Sequence, residues 1–256
     1  MEKNIDFNSD LAQVFGVYKN DVEYEIARYM SSVNISCGFH AGDPLSIREA
    51  LLFAKENNLA IGAHIGFNDL QGFGYRPMKL DAEEIEAIVL YQIGAIASFA
   101  KAYKLEIEHV RAHGAMYRMC GEDFNFCLNV ANAVKKFAPW LILYAPAGEV
   151  IKKVEEASDI RIAQEIQLNK PYNFDLTVNY DKEEILDADR EIERLKSVIN
   201  NGELDNIEGG KTRVCADTIH FSNRAMNSPE VAKRANFLFK PTAVNYNRAL
   251  VSGWVQ

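Results

Sequence analysis

The stretch Ser31-Ser32-Val33-Asn34-Ile35-Ser36-Cys37-Gly38-Phe39-His40-Ala41-Gly42-Asp43-Pro44 runs from a short apolar strand, through a glycine-bearing loop, into a helix. Pro44 suits a first helical turn, where a missing N–H does no harm, and Asp43 stands where a cap belongs. The same order of strand, loop and helix recurs outward in both directions. Strands are predicted at Ile5–Asn8, Ser32–Ile35, Leu59–Gly62, Ile107–Val110, Trp140–Tyr144, Ile160–Ala163 and Arg213–Ala216. The clearest helix runs from about Asp81 to Tyr103, with Ile85, Ile88, Val89, Gln92, Ile93 and Ile96 spaced for one face. Asp81, Glu83 and Glu84 suit its N-terminus, where carboxylates meet free N–H groups. Seven such units in alternation imply an α/β fold with a parallel sheet.

Nothing divides the chain. A Pro/Gly/Ser-rich linker is missing and no repeat is visible, so residues 1–256 are expected to form a single domain. Barrels of this kind commonly reach ~250 residues without splitting. Apolar residues at 48% and charged residues at 25% support an ordinary globular core. A net charge of −8 weighs against a broad nucleic-acid surface, which needs a basic stripe. Cys37, Cys120, Cys127 and Cys215 form no C-x-x-C pair and read as reduced thiols. The N-terminus lacks an apolar signal core, and no run approaches the ~20 apolar residues of a membrane helix. The expectation is a cytoplasmic protein without membrane contact. Residues 168–180, rich in Asn and carrying Pro171, are expected to form a lid or insertion beside the site, or an exposed loop.

Candidate chemistry gathers where strands end. His40, His64 and His113 each lie close behind a strand in a glycine-containing segment, and Asp10 closes the first strand. In a parallel α/β fold the loops after strand C-termini converge on one face, so residues distant in sequence meet there. One such histidine is usually an ordinary hydrogen-bonding residue; three behind three strands point to a site. His109 lies inside its strand and reads as core or support. His220 could reach the rim but stands alone. The segment Gly66–Arg76 ends in Arg76, a cation suited to a carboxylate or phosphate. Asp10, His40 and His64 are residue types that hold hydrolytic metals, but their spacing matches no short ligand motif, and whether a metal binds stays open. Asp205–Thr212 ends like a phosphate-binding loop, yet its first glycine is Asp205 and it precedes a strand; it reads as a turn feeding the last one. No G-x-S-x-G elbow supplies a serine nucleophile.

These blocks resemble the LamB/YcsF family. Asp6-Phe7-Asn8-Ser9-Asp10-Leu11 is similar to its opening, and Ser31–Pro44 looks like its most characteristic segment. Ile61–His64, Gly72–Arg76, His109–Tyr117 and Ala216–Ile219 match further blocks in order. The resemblance implies a (β/α) barrel, seven-stranded here, related to sugar-deacetylase and glycoside-hydrolase barrels. It implies ATP-dependent opening of the 5-oxoproline lactam to glutamate, with partner subunits B and C, and with ATP and magnesium handled through the complex. By the same carry-over, Asp10, His40, His64 and His113 would be catalytic. Asn8, Asn34, Asp43, Arg76, Arg111 and Glu165 would bind substrate.

The chain departs from that pattern at three places. Ala12-Gln13 replaces Gly-Glu; Asn169-Lys170 replaces Asp-Arg, although Glu165 and Tyr172 persist; Ser222-Asn223-Arg224 replaces His-Gly-Asp. Arg111 stands where lysine is usual. The histidine-bearing loops survive while the C-terminal half of the site is rewritten. Two further possibilities therefore stand beside the lactam hydrolase: a hydrolase, with or without a metal, for another small amide or lactam, and a non-catalytic homologue that binds a ligand or partner.

Overall fold

The computed structural model describes residues 5–18, 20–182, 186–225 and 227–244. In chain order these form β1 (Asp6–Leu11), α1 (Asp21–Ala27), β2 (Ser32–Ser36), α2 (Pro44–Glu56), β3 (Ala60–Ile65), α3 (Ala82–Ala102), β4 (His109–Ala112), α4 (Gly114–Glu122) and α5 (Phe124–Phe137). There follow β5 (Ile142–Pro146), α6 (Glu149–Ser158), β6 (Ile162–Gln167), α7 (Ala188–Lys196), β7 (Glu203–Asp205), β8 (Lys211–Arg213), β9 (Thr218–His220) and α8 (Ser228–Phe239). A π-helical turn, Ser197–Asn201, extends α7. Seven parallel strands close into a barrel in the order β1-β2-β3-β4-β5-β6-β9, so the expected seven-stranded (β/α) barrel is what forms.

The last strand is not where periodicity placed it. Arg213 belongs to β8, which pairs antiparallel with β7 in a separate hairpin, Glu203 opposite Arg213. The barrel instead closes through Thr218–His220, which pairs with both β1 and β6. The reason is that a short alternating run carries no information about its partner; Val214 and Ala216 bury their side chains under α7 and α8 without joining the barrel. Asp205–Thr212 is the turn of this hairpin, with Asn206 accepting N–H groups from Glu208 and Gly210.

Alternation along each strand separates two environments. Leu11, Val33, Ile35, Ala63, Ile65, Val110, Leu143 and Ile166 face outward into apolar cores beneath the helices. The opposite set, including Asn8, Asp10, Asn34, His64, His109, Arg111, Glu165 and His220, fills the barrel with buried polar groups. Gly62 belongs to this set, and a methyl group there would overlap the His109 ring. One helix, α3, is long and apolar enough by length and composition to cross a membrane, contrary to the expectation that no segment would be. Its charges gather near the two ends, and Ile85, Val89, Ile93 and Ile96 turn the apolar stripe between them into the buried core.

Candidate active site

The C-terminal end of the barrel opens on Asp10. Its Oδ1 accepts from Asn34 Nδ2 at 3.0 Å and lies 3.5 Å from the Arg111 guanidinium. Its Oδ2 accepts from Gln13 Nε2 at 2.9 Å and lies 3.2 Å from His220 Nε2 and 3.4 Å from His64 Nε2. Burial alone would raise the carboxyl's pKa, but the imidazoles of His64 and His220 and the Arg111 guanidinium around it hold it well below the usual range. Arg111 is gripped from below by Glu165, with Nε and Nη2 on the carboxylate at 2.8 and 2.7 Å, and lies over the Tyr117 ring. Glu165 also accepts from Asn8 Nδ2, and Asn34 links Asn8 Oδ1 to His109 Nε2. Glu165, though buried, is likewise held ionised by Arg111.

The imidazoles form a packed group. His113 Nδ1 meets His64 Nε2 at 3.0 Å, and His113 Nε2 lies 2.8 Å from the Phe73 carbonyl, which can only accept. The Phe73 contact therefore fixes the His113 proton on Nε2, so that His64 donates to Nδ1. His64 Nδ1 lies 3.2 Å from the Arg111 carbonyl, and His40 Nε2 lies 3.2 Å from Ser36 Oγ. Burial pushes the pKa values of His40 and His113 well below the ordinary histidine value and that of His109 down to about 3. His40, His64 and His113 bring nitrogens within 4.8 Å of one another, the reach of a metal site. However, the His40 and His113 rings are stacked face to face at 4.0 Å and 7°. A metal binds in the plane of each imidazole it uses, and parallel stacked rings cannot share such a plane. The trio therefore fits mutual support better than chelation.

Above this floor lies a cleft of about 610 Å³. Of the sequence-predicted catalytic residues, Asp10 and His113 line it, whereas His40 and His64 are wholly buried beneath. Of the predicted substrate-binding residues only Arg111 lines it. Asn8, Asn34 and Glu165 are fully enclosed, their polar groups engaged with one another and with Arg111. Asp43 is the N-cap of α2, accepting from Leu45, Ser46 and Gly16 N–H groups. Arg76 is not among the cleft residues: it pairs with Asp69, with its side chain 63% exposed. None of these five lines the cleft.

Sequence reasoning set aside His220, which lines the cleft beside Asp10. Its signal was the alternation Thr218/His220, hidden once the last strand was misplaced. The loop 168–180 does flank the cleft, through Asn169, Lys170 and Tyr180, and Arg194 holds the Leu168 and Lys170 carbonyls at 3.1 Å. All three departures from the family pattern meet here. Gln13 donates to Asp10 and accepts from Asn223 Nδ2 at 3.0 Å, while Arg224 lies over the Phe73 ring at 4.2 Å. Ala12 adopts φ 57°, the left-handed region that favours the glycine usual there.

Comparison with known proteins gives a consistent result. The LamB/YcsF family model matches residues 5–248. The A-type 5-oxoprolinase subunit of Bacillus mycoides is 37% identical over 94% of this chain and 96% of its own. Its counterpart in Geobacillus thermodenitrificans is 39% identical over 91% of each. A lactam utilization protein from Thermus thermophilus has a crystal structure that superposes with a TM-score of 0.86 at 34% identity, covering 95% of this chain and all of that one.

Proposed function

The chain belongs to the LamB/YcsF family, and from that membership we propose that it opens the lactam of 5-oxoproline to glutamate, consuming ATP and working with partner subunits B and C in the cytoplasm. The observation that carries this is the match along nearly the whole chain to relatives named as 5-oxoprolinase subunits of the A type. The chemistry of the cleft agrees with it. Opening an unstrained amide requires a proton acceptor for the attacking water, a donor for the leaving nitrogen and positive charge near the carbonyl oxygen. Asp10, the imidazoles around it and the Arg111 guanidinium are of those types, at the mouth of one barrel.

Lys170, Lys182 and Arg224 add positive charge at the cleft wall, suited to a carboxylate or to phosphates. No phosphate-binding loop exists among the described residues, since Asp205–Thr212 is a hairpin turn; magnesium would arrive with ATP. A second reading is favoured by one observation: Gln13, Asn169, Lys170 and Ser222–Arg224 all line the cleft. Substitutions concentrated on the substrate-facing wall fit a related amide or lactam in place of 5-oxoproline, or a homologue that binds without turnover.

The experiment is glutamate release from 5-oxoproline with ATP and magnesium, with and without co-expressed partner subunits. Release that depends on ATP and on the partners is expected. A folded complex that releases none, but opens another lactam from a panel, establishes the second reading.

A further inference from the structure

We infer that His220 is the imidazole that exchanges protons with the ligand in the cleft, acting as a catalytic base paired with Asp10. The inference rests on the proposed lactam hydrolysis for the identity of the reaction, but on geometry for the choice of residue.

Five imidazoles occupy the barrel; His40 Nδ1 and His109 Nδ1 also lack partners, but only His113 and His220 line the cleft. His40, His64 and His109 are at most 1% exposed, and none of the three lines the cleft. His113 lines it, but both its nitrogens are engaged, Nδ1 with His64 and Nε2 with the Phe73 carbonyl. It could meet a substrate only by breaking one of these. His220 lines the cleft and sits 3.2 Å from Asp10 Oδ2 through Nε2, and neither of its ring nitrogens makes a well-aligned hydrogen bond. A buried polar atom left without a partner costs about 1–3 kcal/mol, so such atoms call for an explanation. A ligand or water in the cleft provides one.

The pair has the required polarity. Asp10 stays ionised and can only accept, so the nearby carboxylate favours the His220 proton on Nε2, which leaves a lone pair on Nδ1. As the oxygen of water bonds to the lactam carbonyl carbon, its proton passes to Nδ1. As the carbon–nitrogen bond breaks, the same proton passes to the departing ring nitrogen, and the imidazole returns to its starting state. Water and lactam are consumed together and one amino acid is formed, while ATP hydrolysed by the complex to ADP and phosphate drives the unfavourable opening. Asp10 stabilises the transient imidazolium, and Arg111, held by Glu165, keeps Asp10 in place.

The test joins turnover to the position of a proton. In the complex with its partners, His220→Ala is expected to lower kcat about 100-fold with little change in KM, and added imidazole should restore part of it. His220→Gln, which retains a donor toward Asp10, should fold as the parent and be equally slow. Retention of kcat within threefold in either variant overturns the inference and leaves the 5-oxoproline reading intact. Separately, nitrogen NMR of the full chain labelled at histidine should find neutral His220 protonated on Nε2; the opposite tautomer overturns the assignment whatever the turnover. An unsubstituted complex that releases no glutamate while His220 carries its proton on Nε2 overturns the substrate, and supports His220 as the base.

Discussion

Glu165 carries no chemistry in the proposed scheme, yet Arg111 depends on it. The pair is buried on both sides, and among the described residues the guanidinium's one other ion-pair partner, Asp10, stands 3.5 Å away. Removing one partner of a buried pair leaves the other charge uncompensated, at about 3–5 kcal/mol. Glu165→Gln, nearly identical in shape, is expected to lose stability of that order in urea unfolding, and to lose turnover as Asp10 loses its positioned cation. A change under ~1 kcal/mol would show that water reaches Arg111 freely. At this scale the sequence showed residue types well and their exposure poorly. His40, His64 and His113 were legible as a set because each sits by glycine behind a strand. That His40 and His64 are sealed depends on what crosses the barrel above them: the Phe73 backbone and Gly74, whose bare Cα lets His40 and His113 pack close. No local pattern records such a contact. Asp43 was legible as a cap before the structure placed it there.

At the level of elements, the wall formed by residues 168–180 is held to the barrel by α7. Arg194 donates to the Leu168 and Lys170 carbonyls, and Tyr172 accepts the Gln167 N–H at 2.7 Å. Arg194→Ala is expected to free this wall. Limited proteolysis should then cut within 168–180, and KM should rise by several-fold while kcat changes less, because the barrel floor is untouched. Resistance to cleavage equal to the parent's would locate the restraint elsewhere. The strand–helix alternation was readable nearly throughout, since parallel strands buried on both faces leave short apolar runs between amphipathic helices. It failed at the end, where a hairpin interrupts the repeat and β9 has only three residues. A strand that short has no period to detect, and its identity comes from pairing with β1 and β6.

For the whole molecule, a barrel filled with titratable groups should show an uneven response to pH. His40, His109 and His113 have folded pKa values below their unfolded ones, so below about pH 6.5 the unfolded chain binds protons the folded chain refuses. Stability from these three falls as pH falls, each by about 1.4 kcal/mol per unit. Burial raises Asp6 to about 6 and Glu23 to about 7, and these act in the opposite sense. Their folded forms hold protons the unfolded chain has released, which favours folding as pH falls toward the unfolded carboxyl values near ~4. Between about pH 4.5 and 6 two of three contributions cancel, and melting temperature should decline gently. Below about pH 4 the carboxyl offset ends, and the unfolded chain takes up protons that folded Asp10 and Glu165, whose pKa values are depressed, still refuse, so stability falls more steeply. Calorimetry from about pH 3 to about pH 8 should show this break; a uniform slope would mean that the barrel interior exchanges protons like solvent.

The tight filling of that interior also bears on how such a barrel can change over generations. Gly62 and His109 occupy one shared volume, opposite each other on β3 and β4. Gly62→Ala alone is expected to cost about 3 kcal/mol through overpacking, whereas the same change with His109→Ala should recover part of the loss in a thermal melt. Neither position can drift without the other. A lineage leaving this arrangement has to cross a poorly folded intermediate or wait for a paired change, so the barrel floor should be inherited as a block while the cleft wall above it varies freely.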